Sequence, residues 1–374
     1  MEMQRFKDRL AAGTLTRRDM SKALAAAGLA AVTMPVHPRK ARAAGETTLF
    51  TWAGYDIPEV AQPYIETYDG PPGYAIFGEE EEALQKMRAG YTPDLAHPCS
   101  YSVGRWRDTG LFKPIDLTRL EHYGDIWEDL KDLPTTQAEG ATWFVPWDWG
   151  NSSVLFRTDL APDYAGAENN SWNILFDEKY AGRLAVYDAV DGAVIVAALV
   201  AGVADPFNMT DEELAAVEEL MIRQRPMLRY YWTDQSSVEQ GLASGELIAS
   251  YAWNSSVVTL KQQGIPVEYM NPKEGILTWV CGLMMLKDGP GDEQASYDLI
   301  DAMLAPESGA WLIDNYGYGC SNKKAFDLVS QARLAELGIS SPEALFRQGV
   351  FFEPIPPERR EKYIRMFDDV KAGA

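Results

Sequence analysis

Histidine and cysteine are scarce in this 374-residue chain, which holds three of each. Cys99, Cys281 and Cys320 form no CxxC pair, and only His97 and His122 follow the first 43 residues, so composition argues against a zinc site. An odd cysteine count leaves at least one thiol unpaired within a monomer. Basic side chains are also few, 34 against 55 acidic ones, for a formal net charge of −21. That balance argues against nucleic acid and anionic membrane surfaces as partners and favours cationic ligands, although an acidic surface also suits a saline habitat. Long hydrophobic runs are missing too. Beyond the N-terminal region the longest strongly apolar stretch, 193–204, falls well short of the roughly 18 residues that span a bilayer. The processed chain is therefore expected to be soluble.

What is present begins with an address. Thr16-Arg17-Arg18-Asp19-Met20-Ser21-Lys22 sets two arginines ahead of a weakly apolar, alanine-rich run at 23–35, the pattern of a twin-arginine export signal. The basic His37-Pro38-Arg39-Lys40 hinders the ordinary secretory route, and Ala41-Arg42-Ala43 offers small residues for cleavage before Ala44. Residues 1–43 are accordingly read as a signal peptide and the rest as a periplasmic protein. The leader takes nine basic and three acidic residues with it, leaving 25 against 52, or net −27.

The remaining length suits two domains or one large bilobed one. Residues 48–52 form a β-prone run ending in Trp52, and 59–68 and 79–88 carry helical patterns. Glutamates gather at the start of the second helix, where its dipole favours them. A short strand is expected at 94–97 and a helix at 103–108. The passage 144–151 is aromatic and turn-rich, a plausible crossing between lobes, with β pattern resuming at 154–157. Further strands are expected at 184–187, 247–251 and 266–269, a helix through 194–203, and a second crossing near 272–275. Thr210 with Glu213 reads as a capping box for a helix running to Ile222. Strands alternating with helices predict an α/β architecture with mostly parallel sheets.

Several expected strands end in an aromatic, a carboxylate or a small polar residue: Trp52 and Tyr55, Ser100 and Tyr101, Asp188, Trp253, Trp279. In open α/β sheets ligands sit beyond the carboxyl ends of the strands, so these side chains are expected to converge on one cleft. Aromatic faces attract an alkylammonium ion at about 0.5–2 kcal/mol per contact, and a carboxylate fixes its charged end.

From 49 to 371 the chain resembles the periplasmic spermidine/putrescine-binding proteins that serve ATP-driven importers. The resemblance is carried by Leu49-Phe50-Thr51-Trp52-Ala53-Gly54-Tyr55, by Asp94-Leu95-Ala96-His97-Pro98-Cys99-Ser100-Tyr101, and by Val145-Pro146-Trp147-Asp148-Trp149-Gly150. Tyr187-Asp188-Ala189-Val190-Asp191, Trp253-Asn254, Pro272-Lys273-Glu274-Gly275 with Trp279, and Gly317-Tyr318 with Asn322 complete the series. It implies two α/β lobes, 44–148 with 274–344 and 149–273 with 345–374, that close on a polyamine and dock on the membrane permease of an ABC transporter. No cofactor, metal or catalytic group is expected, and the protein is expected to be a monomer. Trp52, Tyr55, Trp253, Trp279 and Tyr318 are the implied aromatic walls, with Cys99 and Tyr101 beside them, and Asp188 and Asp191 are the implied holders of one ammonium. Asp188 also suits an ordinary helix N-cap, and Asp191 a helix dipole. Cys281 and Ser256 stand where the family usually places aspartates, and Phe352 falls near a family glutamine. That end of the site is therefore expected to lack charge, which brings a monocationic or quaternary amine into play unless Asp148 or Asp234 supplies a second carboxylate.

Two other classes compete. The adjacent Tyr230-Tyr231 suggests a ferric-ion binder, but an alternating strand would point them to opposite faces. A secreted enzyme would use Cys99, Cys281 or Cys320 beside His97 or His122, though no local signature pairs a thiol with a base.

Overall fold

The computed structural model describes residues 47–337, 339 and 349–373; the signal-peptide reading, on residues 1–43, lies outside them. The first β-prone run is β1 (Thr48–Trp52), paired in parallel with β2 (Gly73–Phe77) and β3 (Leu95–Ala96). β4 (Phe112–Lys113) and a small hairpin, β5 (Gln137–Ala138) with β6 (Ala141–Thr142), follow. Beyond the 13-residue β7 (Val145–Arg157), β8 (Leu184–Tyr187) pairs in parallel with β9 (Leu228–Trp232) and β10 (Ala249–Trp253). β11 (Val267–Tyr269), β12 (Leu277–Leu286), β13 (Gly319–Cys320) and β14 (Val350–Phe351) complete the strands.

The strand order is β2-β1-β3-β12-β7-β10-β8-β9. Its outer groups, on β1 and on β8, are parallel, whereas β7 and β12 run antiparallel to each other and to the neighbours they join, β10 and β3. These two long strands thus connect the outer groups.

The passage 144–151 is not the turn that its proline, glycine and tryptophans suggest. From Val145 onward it belongs to one continuous strand, β7, buried along twelve of its thirteen residues. A strand covered on both faces loses the polar alternation that marks a strand in sequence. Pro146 brings no N–H to the ladder, and the pairing shifts register opposite it, between Cys281 and Gly282. Gly282 donates instead to Pro98 O at 3.0 Å. A Cβ at Gly282 would collide with Val145 O and stand 2.7 Å from the Phe144 ring, so only glycine fits. Likewise 272–275 is a turn, closed by Gly275 N to Pro272 O at 2.9 Å, and the long strand begins after it.

Helices fall close to their expected positions. Glu79 caps Glu80–Arg88 by accepting from the Glu81 and Glu82 amides at 2.8 and 3.1 Å. The capping box is present in Asp211–Gln224, where Thr210 and Glu213 exchange bonds of 3.2 and 2.8 Å. The expected helix at 194–203 is an α-helix over Ile195–Val200 preceded by a π-turn, Val190–Val194, which brings Asp191 into the buried interior. Among the described residues no helix is long and apolar enough to cross a membrane.

Candidate functional site

The ends of β1 and β10 face each other, with the Trp52 and Trp253 rings 6.4 Å apart and nearly perpendicular. Trp253 also packs edge-on against Tyr187, at the end of β8, at 5.3 Å and Trp232, at the end of β9, at 5.1 Å. Opposite them Tyr55 stacks on Tyr318 at 6.1 Å, and Trp279 from β12 meets Tyr318 edge-on at 4.9 Å. Trp279 lies so close to β7 that a Cβ on Gly150 would stand 2.5 Å from its ring, which makes glycine a requirement there. Between these groups lies a cavity of about 330 Å³, within the range of roughly 300–1,000 Å³ usual for small-molecule sites.

Behind the wall a buried chain of bonds fixes Tyr55. Its hydroxyl donates to Asp148 Oδ2 at 2.5 Å, Asp148 Oδ1 lies 3.0 Å from His97 Nε2, and His97 Nδ1 lies 2.8 Å from Thr51 Oγ1. Tyr55 therefore presents its ring, not a free hydroxyl. Burial pushes the hydroxyls of Tyr55, Tyr101, Tyr187 and Tyr318 well above their ordinary pKa. They remain neutral, and none offers a phenolate to a metal.

Cys99, just after β3, and Cys281, in the middle of β12, are joined in a disulfide, and both line the cavity. The two cysteines expected in the site are thus one apolar cross-link, and neither is a free thiol. Cys320 is a free, buried thiol pushed up to about 12 by that burial, far from the thiolate that cysteine chemistry requires. Tyr230 and Tyr231 lie on β9 outside the cavity lining, Tyr230 donating to Ser237 O at 3.0 Å and Tyr231 packing edge-on against Phe367. Among the described residues no group of three or more His, Cys, Asp or Glu is placed to hold a metal ion.

The expected ammonium holders are already engaged. Asp191 lines the cavity, but both its oxygens accept from the Arg360 guanidinium at 3.1 Å, a bidentate pair in which each residue is 7 % exposed. Burial works against the Arg360 charge, and the adjacent Asp191 more than restores it, leaving its pKa raised. Asp188 lies outside the cavity lining and holds Lys371 Nζ at 2.8 Å. Glu80, beside them, accepts from Cys99 N at 2.6 Å and from Ser102 Oγ, and burial pushes its carboxyl up to about 7. Ser256 also lies outside the lining, donating to Glu239 Oε1 at 3.0 Å.

The structure thus gathers Trp52, Tyr55, Cys99, Tyr101, Asp191, Trp253, Trp279, Cys281 and Tyr318 around one cavity and leaves Asp188 and Ser256 behind it. Sequence reasoning placed Tyr187 at a strand end without giving it to the site, and missed Tyr251, Tyr316, Gln235 and Glu239; all five line the cavity. Gln235 and Glu239 had one usable signal. Asp234 followed by Gln-Ser-Ser is a helix start, which places both residues on one face of the helix Gln235–Ser244.

Comparisons with known proteins agree with this architecture. The chain is 26 % identical over 346 residues to a putrescine/agmatine-binding protein of Pseudomonas aeruginosa, covering 87 % of this chain and 92 % of that one. It is 23 % identical over 339 residues to a putrescine-binding periplasmic protein of Escherichia coli, covering 87 % and 91 %. Among solved structures, a putative spermidine/putrescine ABC transporter protein of Listeria monocytogenes superposes with a TM-score of 0.77 at 19 % identity, over 87 % of this chain and 99 % of that one. The fold is the two-lobed α/β fold of periplasmic binding proteins. With residues 75–337 matching the family model, the chain belongs to the bacterial extracellular solute-binding proteins.

Proposed function

We propose that this protein is the periplasmic solute-binding component of an ABC importer and that it captures a small cationic amine of the putrescine, agmatine or spermidine kind. The observation that carries the reading is the cavity itself, walled by Trp52, Tyr55, Trp253, Trp279 and Tyr318, with Asp234 and Glu239 on its lining. Flat aromatic faces cover methylenes and attract the charge, and carboxylates supply the counter-ion. The names of the relatives point the same way. The enzyme alternative loses its nucleophiles, because Cys99 and Cys281 are cross-linked and Cys320 is buried.

In this reading the lobes 44–148 with 274–344 and 149–273 with 345–374 meet along β7 and β12 and close over the ligand, and the closed monomer docks on its permease. Closure desolvates the facing Trp52 and Trp253. Titration of the purified protein with putrescine, agmatine, spermidine, cadaverine and choline, with neutral controls, should raise the melting temperature for the amines alone. Tryptophan emission should shift at the same stoichiometry. No response to any amine, or a response equal for the neutral controls, rejects the assignment.

A further inference from the structure

The carboxylates on the cavity lining differ in what their oxygens already hold. Asp191 gives both to Arg360. Asp234 gives Oδ1 to the Ser236 amide at 3.0 Å and Oδ2 to the Ser236 hydroxyl at 2.8 Å, capping the helix Gln235–Ser244. Glu239, one turn into that helix, receives Gln235 Nε2 at 2.9 Å and Ser256 Oγ at 3.0 Å, both on Oε1. Its Oε2 has no hydrogen-bond partner among the described residues, and no Lys, Arg or His among them forms an ion pair with it. Both donors are neutral, so they orient the carboxylate without cancelling its charge.

The same small network reaches the aromatic wall. Gln235 Nε2 also donates to Ser255 Oγ at 2.8 Å, and Ser255 Oγ lies 2.8 Å from the Tyr318 hydroxyl. Glu239, half-buried, is therefore tied through Gln235 and Ser255 to the ring that stacks on Tyr55. A positioned carboxylate with an unspent oxygen beside aromatic faces has the chemistry of an ammonium seat.

The geometry points to Glu239 as the carboxylate that receives the ligand's ammonium group, which puts the charged end of the site on the helix Gln235–Ser244 and not on the loop after β8. This rests on the amine-binding reading above and names the residue responsible for it. At Asp191 the charge is already matched by Arg360, and the disulfide, Tyr101 and Phe352 nearby on the lining contribute no anion. An ammonium buried there would lack a counter-ion, a costly arrangement.

Isothermal titration of the wild-type protein and of Glu239→Gln, Glu239→Asp and Asp234→Asn with putrescine and agmatine tests this. Glu239→Gln keeps the shape and removes the charge, so the Kd of each amine should rise at least tenfold. Glu239→Asp keeps the charge on a shorter stem and should lose less, and Asp234→Asn, whose two oxygens are already engaged in the helix cap, should also lose less than Glu239→Gln. The unliganded melting temperature of each variant reports folding separately, and Glu239→Asp carries the test if the amide variant is unstable, with unchanged affinity counting against the seat. If wild type binds amines and Glu239→Gln matches it within twofold, the seat is elsewhere and the amine reading survives. Equal losses in Glu239→Gln and Asp234→Asn would indicate a diffuse acidic field and overturn the assignment to Glu239. If wild type binds neither amine, the functional reading fails and the seat with it.

Discussion

Two acidic regions border the same cavity and have opposite fates. Around the π-turn at Val190–Val194, Asp191 is locked to Arg360, Asp188 to Lys371, and Glu80 to Cys99 N and Ser102, so each carboxylate is consumed by the fold. On the helix Gln235–Ser244, Glu239 is steadied by neutral donors and keeps an oxygen in reserve. Carboxylates near a cleft are thus not interchangeable. What separates the two regions is how many carboxylate oxygens the fold has already engaged: Asp191 is spent on Arg360 and Glu80 on buried donors, whereas Glu239 keeps one oxygen free of both.

The sharpest way to break the contrast is to remove the cation at the structural end. Arg360→Met leaves the Asp191 charge buried and unpaired, which should destabilise the protein by about 3–5 kcal/mol in urea unfolding. Adding Asp191→Asn should recover most of that loss, because the penalty belongs to the orphaned charge. A single-variant loss below about 1 kcal/mol would mean that water reaches Asp191 and that this end is not sealed.

A second effect of similar origin is read from pH. Burial raises the Glu80 carboxyl to about 7 from an ordinary value near 4.5, so the folded protein holds a proton that the unfolded chain releases across that interval. Its contribution is complete below the unfolded value and is lost as pH rises through about 7, amounting to about 3 kcal/mol. Stability should therefore fall between pH 5 and pH 8 more steeply in wild type than in Glu80→Gln. Equal slopes would show that the bonds from Cys99 N and Ser102 compensate the charge fully.

These pairings mark the boundary of what the sequence discloses. The strand ends were legible because aromatic and β-branched runs stop at Trp52, Tyr187 and Trp253, and all three residues line the cavity. The capping box at Thr210 was legible because its partners are three residues apart. Asp191 and Arg360 are 169 positions apart and Cys99 and Cys281 182, and no local rule brings either pair together. With three cysteines any pairing was open. Ser256 read as a lost carboxylate, yet its hydroxyl supports one that comes from a different helix, Glu239. The buried β7 was misread for a related reason, since burial on both faces erases alternation.

At the open end the aromatic wall should carry affinity, not stability. Trp253 stands at the end of β10 among Trp52, Tyr187 and Trp232 and keeps part of its ring accessible. Trp253→Ala should weaken amine binding by about 2 kcal/mol, roughly thirtyfold in Kd by calorimetry. Unchanged affinity would remove Trp253 from the ligand's path and leave Trp52, Trp279 and the Tyr55–Tyr318 stack as the aromatic walls.

The smallest effect is expected at the residue that the sequence motif ranks among the most important. Asp188 sits in the stretch read as an ammonium holder, but it lies off the cavity lining and pairs with Lys371 at 2.8 Å. The two side chains are 29 % and 32 % exposed, so solvent and salt screen the pair. Lys371 also has Asp368 at 3.4 Å and the Phe367 ring beneath it, and loses little when Asp188 is neutralised. Asp188→Asn should thus cost less than about 1 kcal/mol of stability, with the loss shrinking in high salt. Amine affinity should stay within about twofold of wild type, since neither side chain of the pair reaches the ligand space. A tenfold loss of affinity in this variant would bring the charged end of the ligand back to the β8 loop and erase the distinction between the two acidic regions.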